Sequence, residues 1–152
     1  MSIFEVQFSG MPQKSESLLK ENNLKLTPGR IKVLSFFLNA DYALSYNDIQ
    51  NKYKPEMDKV TIYRTLNTFK ESGILHEIVS PDGVSKYALC KHHQCNHNHH
   101  HHDKHIHFYC ITCENIYCLS DLKITTLNLP DGYKANTSKI VVEGTCKSCN
   151  AV

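Results

Sequence analysis

Two Cys-x-x-Cys pairs, Cys110-Ile111-Thr112-Cys113 and Cys146-Lys147-Ser148-Cys149, constrain this chain more than any other feature. The tight turn of each pair brings two thiolates within reach of one ion. Two such knuckles make a four-thiolate tetrahedral site, an arrangement that suits zinc best. A redox dithiol or a set of buried free cysteines would leave the two knuckles together unexplained. His105 and His107 stand just upstream of the first knuckle. Residues two apart in a strand share a face, so both imidazoles point the same way.

The rest of the composition sets the frame for that site. A length of 152 residues allows one domain or two small ones, and 41% apolar residues is ordinary for a globular chain. A net charge of +2 excludes a protein that coats nucleic acid by bulk charge, but not a sequence-specific binder with a local basic face. No apolar run is long enough to span a membrane, and residues 1–14 lack the basic start and apolar core of a secretory signal. Seven cysteines, four of them in knuckles, fit thiolates held by metal in a reducing cytoplasm. Of ten histidines, nine follow residue 90, so the composition changes near the middle of the chain. This change predicts two domains, residues 1–83 and 84–152, with a hinge at about 81–90.

The first half reads as helices followed by a hairpin. Residues 15–22 predict a short amphipathic helix with a serine cap. Thr27-Pro28 is an N-cap followed by proline at the first helical position, and Ile31, Leu34, Phe37 and Leu38 carry that helix to about Ala40. Ser45 can cap a third helix, stopped by Pro55. Asp58 caps a fourth, which ends at Gly73, a residue suited to the left-handed position after a helix. In this fourth helix Ile62, Leu66 and Phe69 share the core side, while Thr61, Arg64 and Thr68 face away, with Tyr63 at the flank. A cation, a phenol and hydroxyls near a helix N-terminus suit insertion into a DNA major groove, although any solvated helix face offers similar groups. Residues 74–79 and 84–89, joined by Pro81-Asp82-Gly83, form a hairpin, giving the order of a winged helix-turn-helix with a wing at about 74–90. Lys25 and Arg30 flank the second helix and can hold phosphates or enter a minor groove.

The second half predicts strands at 105–110, 115–119 and 138–144, with a loop at 129–133. Its few large apolar side chains make a thin core that a zinc ion can staple. Exposed strand edges suggest pairing with a second copy. Residues 91–104, KHHQCNHNHHHHDK, read as a flexible His-rich loop and a weak accessory metal site. The fold class is therefore α+β: an N-terminal winged helix-turn-helix domain and a small C-terminal α/β dimerisation domain with a four-cysteine zinc site.

The combination Leu26-Thr27-Pro28-Gly29-Arg30, Lys59-Val60-Thr61-Ile62-Tyr63-Arg64-Thr65-Leu66, Ser72-Gly73-Ile74-Leu75, His105-x-His107-x-x-Cys110-x-x-Cys113 and Gly144-x-Cys146-x-x-Cys149 resembles the ferric uptake regulator family over about residues 14–150. One small departure is Gly29, where the family usually has another residue. The resemblance implies a homodimeric regulator that closes onto double-stranded operator DNA when metal binds at the hinge. Tyr63 and Arg64 would then approach bases and Lys25 the minor groove. Cys110, Cys113, Cys146 and Cys149 match the family's structural zinc site, one ion per chain.

The resemblance also implies a second, regulatory metal. His105 and His107 match the shared histidine pair. No histidine stands in Asp41–Ser45, where iron sensors carry a ligand, whereas His76 and Cys90 occupy the positions used by the zinc-sensing branch. Alone, His76 reads as a surface histidine and Cys90 as a small buried residue. One thiolate with two or three imidazoles favours zinc over iron or manganese. The fourth ligand is left open between His107, Cys118 and a loop histidine; Cys118 falls where some zinc sensors carry a carboxylate. The resulting expectation is a zinc-responsive repressor of metal-uptake genes. Its alternatives are an iron-, nickel-, manganese- or peroxide-responsive member of the same family, and a metal-storage or chaperone protein built on the His-rich loop. A zinc hydrolase or deaminase is not expected, because no His-Glu-x-x-His occurs and no His-x-Glu is followed by Pro-Cys-x-x-Cys.

Overall fold

The structure, a computed structural model, describes residues 11–90, 105–123, 128–136 and 138–151. The His-rich run at 91–104 lies outside them. The first half runs α1 (Met11–Glu21), α2 (Pro28–Asn39), β1 (Leu44–Ser45), α3 (Tyr46–Tyr53), α4 (Lys59–Glu71), β2 (Leu75–Val79) and β3 (Ser85–Leu89). The second runs β4 (His105–Cys110), β5 (Ile116–Lys123), β6 (Ile140–Gly144) and α5 (Lys147–Asn150).

Local chemistry sets most of the helix ends. The Thr27 side chain accepts the Arg30 amide with Pro28 in the first turn of α2, and Ser45 and Asp48 form a reciprocal capping box on α3. Asp58 caps α4 through the Thr61 amide. At the other end of α4, Gly73 adopts φ 75°, and the Gly73 and Ile74 amides return to the carbonyls of Lys70 and Phe69. The first helix departs from expectation. It begins at Met11, so Ser15 is inside it rather than capping it. Pro12 costs nothing in a first turn, where its missing N–H would have no partner. Ser15 is fully buried, and its hydroxyl hydrogen-bonds that of Ser35 on α2 at 2.7 Å.

Leu19, Val33, Leu34, Phe37, Leu44, Ile49, Ile62, Leu66, Phe69 and Leu75 form one buried core. Each such side chain contributes about 1.5–3 kcal/mol by leaving water. The core buries the Ile62–Leu66–Phe69 side of α4 and leaves Tyr63 and Arg64 exposed. Strands β1, β3 and β2 make an antiparallel sheet in that order, with His76 opposite Ala88. This pairing keeps residues 85–89 with the first half.

The second sheet has the order β5-β4-β6, β5 antiparallel and β6 parallel to β4. Strand β5 extends to Lys123, beyond the expected 119, and β6 starts at Ile140 rather than 138. The two halves meet over small side chains: Ala43, Ile78 and Ala88 of the first pack against Tyr109 and Ile116 of the second. The Ala43 amide donates to the Ile116 carbonyl at 2.8 Å, and the Lys86 ammonium donates to the Glu114 carbonyl. The thin second core therefore leans on the first half.

Candidate metal centres and DNA-facing surface

Parallel pairing of β4 with β6 builds the first cluster. Cys110 is in register with Gly144, so the knuckles that follow the two strands emerge at one end of the sheet. Gly144 fits there because a Cβ would lie 3.1 Å from the Phe108 ring. The sulfurs of Cys110, Cys113, Cys146 and Cys149 all lie within 4.8 Å of one another, with Cys113 and Cys146 at 3.8 Å. Tetrahedral zinc at its usual bond lengths would place two sulfurs about 3.8 Å apart, so the four fit the ion. The electrostatics fit as well. Burial alone would raise the Cys110 thiol. The amides of Cys113, Cys146 and Thr112, aided by the Cys113 thiol, outweigh it and bring Cys110 down to about 6. The Cys149 amide and then the Tyr117 hydroxyl lower Cys146. Backbone amides of the two knuckles thus favour the thiolate at Cys110 and Cys146, whereas the Cys146 side chain and burial push the Cys149 thiol up, so that its proton must leave when a metal binds.

A second cluster forms where the halves touch. His107 sits opposite Cys118 across the β4–β5 pair, and His105, two residues earlier, shares its face. The β4–β5 register shifts between His105 and Ile106, with the extra residues on β5, since His105 pairs with Lys123 and Ile106 with Leu119. From the first half, β2 brings in His76, which is buried, as is His107. Donor atoms of His76, His105, His107 and Cys118 lie within 4.8 Å of one another. His76 Nε2 is 3.2 Å from His107 Nε2 and 3.5 Å from Cys118 Sγ. Around one tetrahedral zinc these separations would be about 3.3 Å between nitrogens and about 3.6 Å between nitrogen and sulfur. This donor set fits the ion too.

Cys90 stands differently. Its Sγ is 3.6 Å from Nδ1 of His76, on the other side of the ring, and it is not among the four converging donors. Of the three possible fourth ligands left open by the sequence, the structure brings together His107 and Cys118 both. Cys118 was legible only as a position five residues past a knuckle. Its convergence depends on the β4–β5 register, which no sequence signal specifies.

The residues that the sequence offers for DNA contact lie at one end of α4, at the start of α2 and in the loop before it. Tyr63 is 61% exposed and Val60 56%, and Arg64 and Lys25 are exposed as well. Arg30 turns back to donate from its guanidinium to the Lys25 carbonyl at 3.1 Å, bracing the loop that carries Lys25. Thr61 has its hydroxyl on the Asp58 carboxylate at 2.8 Å, so it is engaged in the helix cap. That capping role was not foreseen from the helical face pattern.

Comparison with known proteins places these features. A ferric uptake regulation protein of Staphylococcus aureus is 36% identical over 140 residues, covering 87% of this chain and 93% of the relative. The peroxide operon regulator of Bacillus subtilis is 24% identical over 142 residues, covering 87% and 88%. A zinc uptake regulator solved in complex with zinc and DNA superposes with a TM-score of 0.61 at 21% identity, covering 92% of this chain and 93% of that one. At that identity the likeness establishes the fold. The ferric uptake regulator family profile matches residues 21–143, and with the staphylococcal relative it shows that this chain belongs to the ferric uptake regulator family.

Proposed function

We propose that the chain is a zinc-responsive, homodimeric, DNA-binding transcriptional regulator acting in the cytoplasm as a repressor of metal-uptake genes. The observation that carries this reading is the convergence of His76, from the wing, with His105, His107 and Cys118, from the second sheet. Three imidazoles and one thiolate, with no carboxylate among them, favour zinc over iron or manganese. His76, His105, His107 and Cys118 would hold the zinc, which when bound would supply one electron-pair acceptor shared by all four donors. Those donors then fix β2 against β4 and β5, and so hold the helix bearing Tyr63 and Arg64 in one orientation relative to the second half. A defined orientation is what allows two recognition helices in a dimer to meet two half-sites of double-stranded DNA. Tyr63 and Arg64 face the bases in this reading, Lys25 meets the backbone or minor groove, and Thr61 and Arg30 support them. Cys110, Cys113, Cys146 and Cys149 hold a second, structural zinc in each chain. Both clusters offer four protein donors, whereas a catalytic zinc keeps one position open, which supports a regulator rather than an enzyme.

The test is binding of the dimer to fragmented genomic DNA from its source in buffers that fix free zinc, nickel, iron(II) or manganese. Retention of a few fragments only in the buffers that hold low free zinc, and not without metal, is the expected result and yields the operator. Retention only with another metal would keep the regulator and overturn the zinc assignment. Retention with none would favour a storage role instead.

A further inference from the structure

Resting on the regulatory-metal reading above, we infer that Cys90 is not a ligand of the ion but the residue that positions His76. Cys90 follows β3 directly, and its amide donates to the Ile74 carbonyl at 2.9 Å. Because His76 is in register with Ala88, Cys90 lies two residues further along the partner strand, a diagonal neighbour on the same face. That placement belongs to the wing alone and exists whether or not the two halves are joined. Its Sγ meets His76 at Nδ1, 3.6 Å away, while Cys118 Sγ and His107 Nε2 meet the same ring at Nε2, 3.5 and 3.2 Å away.

The two nitrogens of an imidazole point to opposite sides of the ring, so one ion cannot take both. An ion at Nε2 leaves the proton on Nδ1, and that N–H needs an acceptor. Histidine ligands commonly give this second proton to a carboxylate, a carbonyl or water, and the contact fixes the tautomer and the ring's direction. Here the Cys90 sulfur takes that place. The ion then has three nitrogens and one sulfur around it, and a single bond, through His76, links it to the first half.

Cobalt(II) reports the number of sulfurs directly, through the near-ultraviolet sulfur-to-cobalt absorption. The experiment uses the full-length dimer with the four-cysteine cluster filled with zinc, titrated with cobalt(II). The wild type is expected to take a second metal per chain with a one-thiolate band. Cys118→Ser should lose the band. Cys90→Ala should keep its full intensity per bound cobalt while binding about 10- to 100-fold more weakly. Cys90→Ser should recover most of the affinity, since a hydroxyl oxygen also accepts from Nδ1–H. A band that halves or vanishes in both Cys90 variants would make Cys90 a ligand and overturn this inference alone. A wild type that takes no second cobalt would overturn the regulatory-site reading and this inference with it.

Discussion

The two four-donor clusters are built in opposite ways. All four sulfurs of the cysteine cluster come from one sheet and the turns at its end, within residues 110–149. The histidine-rich cluster takes three donors from that same sheet and one from the wing. The first joins strands that are already hydrogen-bonded, as Cys110 and Gly144 are in register. The second joins two halves that, among the described residues, also meet through a small apolar patch, the Ala43–Ile116 and Lys86–Glu114 hydrogen bonds, and the Tyr42–Tyr117 ring pair. Removing metal from the first should therefore cost folding, and from the second, arrangement.

The largest effect that follows is on the cysteine cluster. Cys146→Ser removes a buried ligand whose sulfur bridges toward Cys113 and Tyr117. Structural zinc sites are worth about 10–16 kcal/mol in small domains, more than a thin core replaces. The variant should carry one metal less per chain and lose ordered structure in its second half. Metal analysis with far-ultraviolet circular dichroism would show it. A variant that keeps native structure without that ion would break the distinction between the clusters.

His76→Ala should do the reverse. It withdraws the one wing donor and leaves β4, β5 and the knuckles untouched. The structural zinc and the fold remain, but DNA affinity ceases to respond to free zinc. The lost response is about 5- to 150-fold, a coupling of about 1–3 kcal/mol. Titrating an operator fragment at two fixed zinc levels measures it. Arg64→Ala is the sharpening control: it should weaken binding by about 1–3 kcal/mol at a contacted base and leave the zinc response intact. If His76→Ala instead lowers affinity equally at both zinc levels, His76 serves packing rather than sensing.

This contrast also explains what could be read from the sequence. A knuckle is a local motif, so Cys110-x-x-Cys113 and Cys146-x-x-Cys149 were visible without any tertiary knowledge. The caps at Thr27, Ser45 and Asp58 and the left-handed Gly73 were equally local. A site spread over three strands depends on register. The alternation of His105 and His107 gives their shared face, but only the pairing of His107 with Cys118 brings that sulfur in. Cys90 shows the same limit. Its position along the chain is that of a ligand in the zinc-sensing branch, and which side of the His76 ring its sulfur meets is visible only in three dimensions. The start of α1 was misplaced for a smaller reason: Ser15 has the chemistry of a cap, and only its burial against Ser35 reveals an interior role.

The smallest predicted effect lies between the histidine-rich cluster and α4. Glu77, next to His76 on β2, pairs with Lys70 on α4. The Lys70 ammonium first, and then the Ser85 side chain, hold the Glu77 carboxyl below its ordinary 4.5. The Glu77 carboxylate in turn raises Lys70 above 10.5. A carboxyl lowered in the folded state stabilises above its unfolded value and ceases to do so as pH falls through the folded one; the raised ammonium sets the upper limit, above 10.5. Glu77→Gln should therefore lose about 0.5 kcal/mol of stability across the neutral range, the magnitude of a partly exposed pair. The gap from the wild type should close as pH falls below about 4, near the reference carboxylate range. Comparing the two proteins under identical conditions cancels the metal loss that both suffer in acid. Denaturant melts at several pH values measure the gap, and a gap unchanged in acid would remove the ion pair as its cause. Metal content should be the same in both, but the zinc response of DNA binding should soften slightly, because the strand that bears His76 would be less firmly tied to the helix that bears Arg64.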